Sequence, residues 1–186
     1  MTDFKIDSND HMDRLLYVVR NVASFRSLEA VLAEEPNPAY WIYVLNNFYD
    51  LALLEWCKLF GSYGEPTHWT SLVPKSDHDS FRKDLWNQLG ITEPDWRVYW
   101  EHVTDYRNHR LAHHQRNTKI TNYPALENIL KSAFYYHSWL LRGLEDMGII
   151  EEPNSLSDYY ASYLRQAVMF SKRAYEETKN IREAVS

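Results

Sequence analysis

Residues 129–144 read ILKSAFYYHSWLLRGL, and their apolar positions recur at the three- and four-residue spacing of an α-helix. The positions on the resulting stripe are Ile129, Leu130, Ala133, Tyr136, Leu140 and Leu144. Because such a stripe must be buried against other apolar surface, the stretch predicts a long amphipathic helix in the protein core, followed by a stop near Gly148.

Two more helices are expected before it, early in the chain. Leu15, Val19 and Val22 recur at helical spacing behind polar residues 8–10, and the prolines within residues 36–38 should end this first helix. A second helix should then run from about residue 39 to residue 60.

Three shorter patterns complete the prediction. A helix capped by Asp77 or Asp79 should end at Gly90, and Thr92 with its acidic neighbours should begin the next one, which leads into residues 106–114. The final helix should follow residues 151–154. No segment alternates apolar and polar residues between turn signals, as a strand would.

Length and composition agree with a single helical domain. The chain has 186 residues, of which 45% are hydrophobic, so it can bury a core without disulfides or metal. Only 5 residues are glycine, which suits a chain made of helices. We therefore predict an all-α fold over residues 1–186, a single bundle of five or six helices with up-and-down connections in its main part.

Charge and cysteine content limit the partners and the compartment. A formal net charge of −6 argues against a broad nucleic-acid-binding surface, so any contact with RNA should be local. Cys57 is the single cysteine, which excludes an internal disulfide or a cysteine-based zinc site and favours a reducing cytoplasm. The opening MTDFKIDSNDHMD is unlike a secretory signal, and no apolar run approaches a membrane span. We expect a cytoplasmic protein with no membrane contact.

Residues 106–114, YRNHRLAHH, are where the sequence offers chemistry. Arginine is a permanent, planar partner for phosphate, and histidine exchanges a proton near neutral pH. Arg107 and His113, however, are about 240° apart on an uninterrupted α-helix. Either the helix loosens between them or a second subunit completes the site, and a two-fold homodimer is the simpler solution.

Structural alternatives exist for the same residues. Arg107 could form an ion pair with Asp105 or another carboxylate, and His113 could be a helix-end histidine. A similar arginine–histidine spacing also occurs at Arg97 and His102, which shows that the spacing arises by chance.

A metal site has some support, since Glu101, Asp105, His109 and His113 recur every fourth residue. The Glu-x-x-His pairs of di-metal helical bundles are missing, however, and a solvated polar face explains the pattern equally well. We therefore expect neither a metal nor another cofactor.

The segment Arg107-Asn108-x4-His113 resembles the Arg-polar-x-His signature of the HEPN superfamily. Its Leu111-Ala112 context, with Phe60-Gly61 at the end of an early helix, is most similar to the abortive-infection U branch. The resemblance implies a dimeric helical bundle that acts as a metal-independent ribonuclease in a defence or toxin system, with an antitoxin as one expected partner.

RNA chemistry then suggests a role for each residue. His113 would transfer protons, Arg107 would bind the charge that develops on the phosphate oxygens, and Asn108 would orient the phosphate or the histidine. The neighbouring residues expected to contact the RNA substrate are His109, Arg110 and His114. Because His114 directly follows His113, either can be the functional histidine. The competing hypothesis is a non-catalytic helical protein that binds a partner protein or a nucleotide.

Overall fold

The computed structural model describes residues 2–33, 39–112 and 122–181. This part of the chain contains six α-helices and no β-strand. The α-helices are α1 (Thr2–Leu32), α2 (Ala39–Trp56), α3 (His78–Leu89), α4 (Glu93–Tyr106), α5 (Leu126–Glu145) and α6 (Leu156–Thr178). A π-helix continues each of α2 and α4: the first π-helix is Cys57–Gly61, and the second π-helix is Arg107–Ala112. The predicted all-α bundle is confirmed.

The core forms where α1 packs against α2, α5 and α6. The stripe predicted on α5 is buried, with Ile129, Tyr136 and Leu140 fully inaccessible to solvent. Trp56, at the end of α2, is also fully buried, and its Nε1 donates a 2.8 Å hydrogen bond to Ser132 Oγ on α5. The fully buried indole of Trp56 therefore has a hydrogen-bond partner for its polar atom.

Helix α1 begins at Thr2, earlier than the polar residues 8–10 suggested. Phe4 makes an edge-to-face contact with Trp139, with ring centroids 6.4 Å apart, and Ser8 is completely buried. Tertiary packing against α5 thus extends the helix through a segment whose composition resembles a helix start. The prolines expected to end α1 lie outside the described residues.

The predicted boundaries of α3 and α4 are largely confirmed. Gly90 adopts the left-handed conformation that ends α3, and Thr92 forms a reciprocal capping box with Asp95 at the start of α4. Asp77 precedes α3 but makes no capping hydrogen bond. Helix α5 ends at Glu145, and Gly148, at φ 73°, closes the turn that follows.

Helix α4 is fastened to the first π-helix. Trp100 Nε1 donates a 2.7 Å hydrogen bond to the Phe60 carbonyl oxygen. A Cβ on Gly61 would lie 3.4 Å from Thr104 Cγ2 and 3.0 Å from Cys57 Cβ, so the glycine permits the close approach. This contact fixes α4, and with it the start of the second π-helix. None of the helices in the described ranges has an apolar stretch long enough to cross a membrane.

Candidate functional site

The second π-helix covers the first part of the predicted arginine–histidine site. In a π-helix the hydrogen bonds join residues five apart, so the turn is wider than in an α-helix, and such turns are frequent at functional sites. The α-helical angle between Arg107 and the residues that follow it therefore does not apply, and the helix does loosen over Arg107–Ala112. His113 and His114 lie outside the described residues.

Arg107 is half-buried and has no carboxylate partner in the described part of the chain. Its Nε and Nη2 donate hydrogen bonds of 3.1 and 2.9 Å to Asn108 Oδ1. The ion pair with Asp105 that would explain Arg107 structurally is not formed. The amide of Asn108 instead holds one edge of the guanidinium, whose charge is left without a counter-ion among the described residues.

Arg110 has a different environment. Its Nε lies 3.7 Å from Asp50 Oδ1, and its guanidinium lies over the rings of Tyr106 and Tyr123, at 5.7 and 5.8 Å from their centroids. Tyr106 also donates a 2.6 Å hydrogen bond to Asp50 Oδ1. Burial and this carboxylate raise the pKa of Tyr106, so its hydroxyl remains a donor. Arg110 therefore helps to join the second π-helix to α2.

A group of three tyrosines extends this anchor. The rings of Tyr49, Tyr106 and Tyr123 contact one another, with centroid distances of 5.6, 5.7 and 5.9 Å. The Tyr49 hydroxyl donates a 2.5 Å hydrogen bond to the carbonyl oxygen of Pro124. The segment leading into α5 is thus held beside α2 and α4. Sequence reasoning missed this arrangement, because Tyr49 and Asp50 are far from Tyr106 and Tyr123 in the chain.

The polar residues around Arg107 are accessible. Asn108 and His109 are exposed, and Arg107 and Arg110 are partly exposed. One wide helical turn therefore presents the guanidinium groups of Arg107 and Arg110, the amide of Asn108 and the imidazole of His109. Of the two guanidinium groups, only that of Arg110 is paired with a carboxylate in the described structure. Such a turn can offer guanidinium donors to an anion from solvent.

The second arginine–histidine spacing does not form a site. Arg97 Nε makes a 3.1 Å ion pair with Glu101 Oε1 on the exposed face of α4. His102 Nε2 instead lies 3.2 Å from the Asn122 carbonyl oxygen. The two residues have separate partners, so the structure does not bring them together.

The three described members of the carboxylate–imidazole stripe, Glu101, Asp105 and His109, do not converge on a metal position. No group of three metal-ligating side chains occurs within residues 2–33, 39–112 and 122–181, and this covers Glu101, Asp105 and His109. His113, the last member of the predicted stripe, falls outside these ranges.

His68 and His137 are two buried histidines in the interior of the protein. Burial lowers the pKa of each of these two, and of His11, to about 4. His11 Nδ1 lies 2.8 Å from the Tyr136 hydroxyl, and its Nε2 lies 3.2 Å from Ser71 Oγ. Sequence reasoning missed this polar bridge through the core, because a lone histidine near the start of a helix is not distinctive.

The sequence was compared with known protein families and with curated proteins, and the chain with solved structures; none of the three comparisons found a match. The family resemblance therefore rests on the motif residues and their context within this chain.

Proposed function

We propose that this protein is a metal-independent endoribonuclease of the HEPN type, acting in the cytoplasm as part of a defence or toxin–antitoxin system. The observation that carries the proposal is the environment of Arg107. Its guanidinium is accessible, is oriented by Asn108 and has no carboxylate partner among the described residues. A positive charge held in this way at a widened helical turn suits a phosphate ligand.

The proposed reaction uses the 2′-hydroxyl of RNA as its nucleophile. His113 removes the proton from this hydroxyl, whose oxygen then attacks the adjacent phosphorus. The bond from phosphorus to the 5′-oxygen breaks, and a second histidine, His113 of the dimer mate, protonates the departing oxygen. The products are a 2′,3′-cyclic phosphate and a free 5′-hydroxyl, so atoms and charge balance without a metal ion.

Arg107 supports this step electrostatically. Negative charge accumulates on the two non-bridging phosphate oxygens in the transition state, and the guanidinium can donate hydrogen bonds to both. Asn108 fixes the plane of that guanidinium. We assign His109, Arg110 and His114 to contacts with the RNA around the scissile phosphate. For Arg110 this role is secondary to its pairing with Asp50.

A homodimer forms part of the proposal because it supplies the second histidine. Residues close to a two-fold axis approach their own symmetry mates, so paired motifs can share one pocket. The net charge of −6 limits the expected contact with RNA to this neighbourhood. If the protein is a toxin, an antitoxin would be its second partner.

A second candidate function is favoured by the internal pairing of Arg110 with Asp50. In that case the arginine–histidine stretch has a structural role, and the bundle binds a partner protein or a nucleotide without catalysis.

The experiment that tests the enzymatic proposal uses the position of the nucleophile. The purified protein is incubated in chelator with a single-stranded RNA and with the same sequence as DNA, and the product ends are analysed by mass spectrometry. We expect cleavage of the RNA alone, with 2′,3′-cyclic phosphate ends. Cleavage of the DNA, or 5′-phosphate ends on the RNA products, would contradict the proposed chemistry, and two intact substrates would favour the binding function.

A further inference from the structure

An aromatic pocket lies outside the arginine–histidine site. It is a cavity of about 270 Å³ between the first π-helix, α3 and α4. Its walls include four of the seven tryptophans of the chain: Trp69, Trp86, Trp96 and Trp100. The volume is slightly below that of pockets that take drug-sized ligands, so the cavity suits a single flat ring system.

Trp86 forms part of the pocket wall, and its indole nitrogen has no acceptor within the described structure. Its ring lines the cavity and is half-buried, and its Nε1 is covered but makes no hydrogen bond within the described structure. A buried donor left in this state is unfavourable. By contrast, Trp100 Nε1 is already bonded to the Phe60 carbonyl oxygen.

The arginine in the wall argues against a cationic ligand. The Arg82 guanidinium lies 5.3 Å from the centre of the Trp69 ring and is paired with Asp79 at 3.1 Å. It therefore occupies a face that an aromatic cage would offer to a quaternary ammonium group. A guanidinium stacked on an indole is itself a flat surface of the kind on which unstacked nucleobases pack in single-stranded RNA complexes.

Two charged residues of the pocket, Arg97 and Glu93, can contact the phosphate and the polar edge of a nucleotide base. The Arg97 side chain is 79% exposed, and its ion pair with Glu101 is of the solvent-exposed type that contributes little to stability. It can therefore turn towards a backbone phosphate. Glu93 also lines the cavity and can accept a hydrogen bond from an exocyclic amino group, which adenine, guanine and cytosine carry.

The pocket is aligned with Arg107 along α4. Trp96, Trp100 and Arg107 are four and seven residues apart, which places them within about 40° of one another around the helix. Arg107 lies about 10 Å from Trp100 along the helix axis. Val103 and Thr104, which lie between Trp100 and Arg107 on this side of the helix, are buried, so an RNA strand that joins the two places would pass beside this face and not along it.

From these observations we infer that the tryptophan-lined pocket binds one base of the single-stranded RNA whose scissile phosphodiester is held by Arg107. The inference rests on the proposed ribonuclease function and adds a substrate-positioning subsite to it. The chemistry recognised is a nucleobase with its adjoining phosphate, which a strand of RNA or a free nucleotide could supply.

Binding is tested without cleavage, by titrating tryptophan fluorescence of the full-length protein with a single-stranded oligoadenylate that is 2′-O-methylated throughout. We expect saturable quenching, and binding that is roughly 5- to 150-fold weaker for Trp86→Ala, the range found when a base-stacking aromatic is truncated. Trp41→Ala is the matched control, because Trp41 is also half-buried but lies away from the pocket. Unchanged affinity in Trp86→Ala, or equal losses in both variants, would overturn the inference.

Two further ligands distinguish the source of the base. An oligomer of the same length without bases should bind at least tenfold more weakly, and adenosine monophosphate should bind more weakly than the oligomer. Equal binding of the monophosphate would assign the pocket to free nucleotides and contradict the RNA subsite. Tetramethylammonium should cause no saturable quenching, and saturable quenching would show an aromatic cage for cations instead.

Trp86→Phe retains an aromatic ring in the pocket wall and serves as the second variant if Trp86→Ala does not fold. It should fold normally, since Nε1 makes no hydrogen bond that would be lost, and it should bind the oligoadenylate better than Trp86→Ala. Cleavage of unmodified RNA is measured in parallel. If the parent protein binds the oligoadenylate but does not cleave unmodified RNA, the ribonuclease function alone is rejected. If Trp86→Ala cleaves RNA with the KM of the parent protein, the subsite alone is rejected.

Discussion

Arg107 and Arg110 lie on the same π-helix, yet only Arg110 has a carboxylate partner in the described structure, with its Nε 3.7 Å from Asp50 Oδ1. Arg107 donates both of its hydrogen bonds to the neighbouring Asn108. One arginine is therefore part of the tertiary structure, and the other is oriented but keeps its charge available. This difference separates the contributions of the two side chains to stability and to activity.

Arg107→Ala should abolish RNA cleavage while changing the free energy of unfolding by less than about 0.5 kcal/mol, because its bonds are local and partly exposed. Arg110→Ala should lower the free energy of unfolding by about 1 kcal/mol, because it removes two cation–π contacts and leaves Asp50 with Tyr106 as its donor. Urea unfolding and a cleavage assay on both variants check this. If Arg107→Ala were destabilised and Arg110→Ala were as stable as the parent protein, Arg107 would be the structural arginine, contrary to this account.

Gly61→Ala should destabilise the protein by about 1–2 kcal/mol. The added methyl group would meet Cys57 Cβ at 3.0 Å and Cys57 Sγ at 3.1 Å, and this overpacking should exceed the helix propensity that alanine gains. Gly64→Ala is the matched control, since a Cβ there has no heavy atom within 4 Å. Thermal unfolding of the two variants makes the comparison, and equal melting temperatures would show that Gly61 does not pack against Cys57 this closely.

The free energy of unfolding should fall as the pH drops from about 6.5 to about 4. Burial lowers the pKa of His11 from 6.5 to about 4, against a smaller opposing effect of Asp10. In this window the unfolded chain binds protons that the folded chain does not, so acid favours unfolding, by up to about 3 kcal/mol for one such histidine. Below about pH 4 this contribution stops growing, and above pH 6.5 it is absent.

Urea unfolding at pH 7 and pH 5 measures this effect. His11→Gln should show a smaller difference between the two conditions than the parent protein. If His11→Gln keeps the full pH dependence, His11 is not the group responsible.

The stripe on α5 and the capping residues of α4 could be predicted from sequence because both depend on local spacing. The early start of α1 could not, because Phe4 is held by Trp139, which is distant in the chain. For the site, the sequence identified Arg107 and Asn108 but not Asp50, whose contact with Arg110 depends on how α2 packs. Residue spacing could not distinguish a helix that loosens after Arg107 from a site that a second subunit completes.

The protein should be a homodimer in solution, because the proposed reaction needs one histidine as base and a second as acid. Multi-angle light scattering at micromolar concentration checks the mass, for which the chain contributes 22.2 kDa per subunit. Mixing the parent protein with an excess of His113→Ala gives a sharper test, since a site that needs one histidine from each subunit predicts that the mixed dimer does not cleave RNA. A monomer at these concentrations would remove the composite site.

RNA cleavage in chelator by the parent protein, His113→Ala and His114→Ala tests the proposed function most directly. General acid–base catalysis is typically worth about 10²- to 10⁴-fold, so His113→Ala should lose at least 100-fold in rate with little change in melting temperature. His114→Ala should be much milder, and His102→Ala should cleave like the parent. A dead His114→Ala beside an active His113→Ala would move the functional histidine by one position, and full activity in both variants would contradict the ribonuclease mechanism.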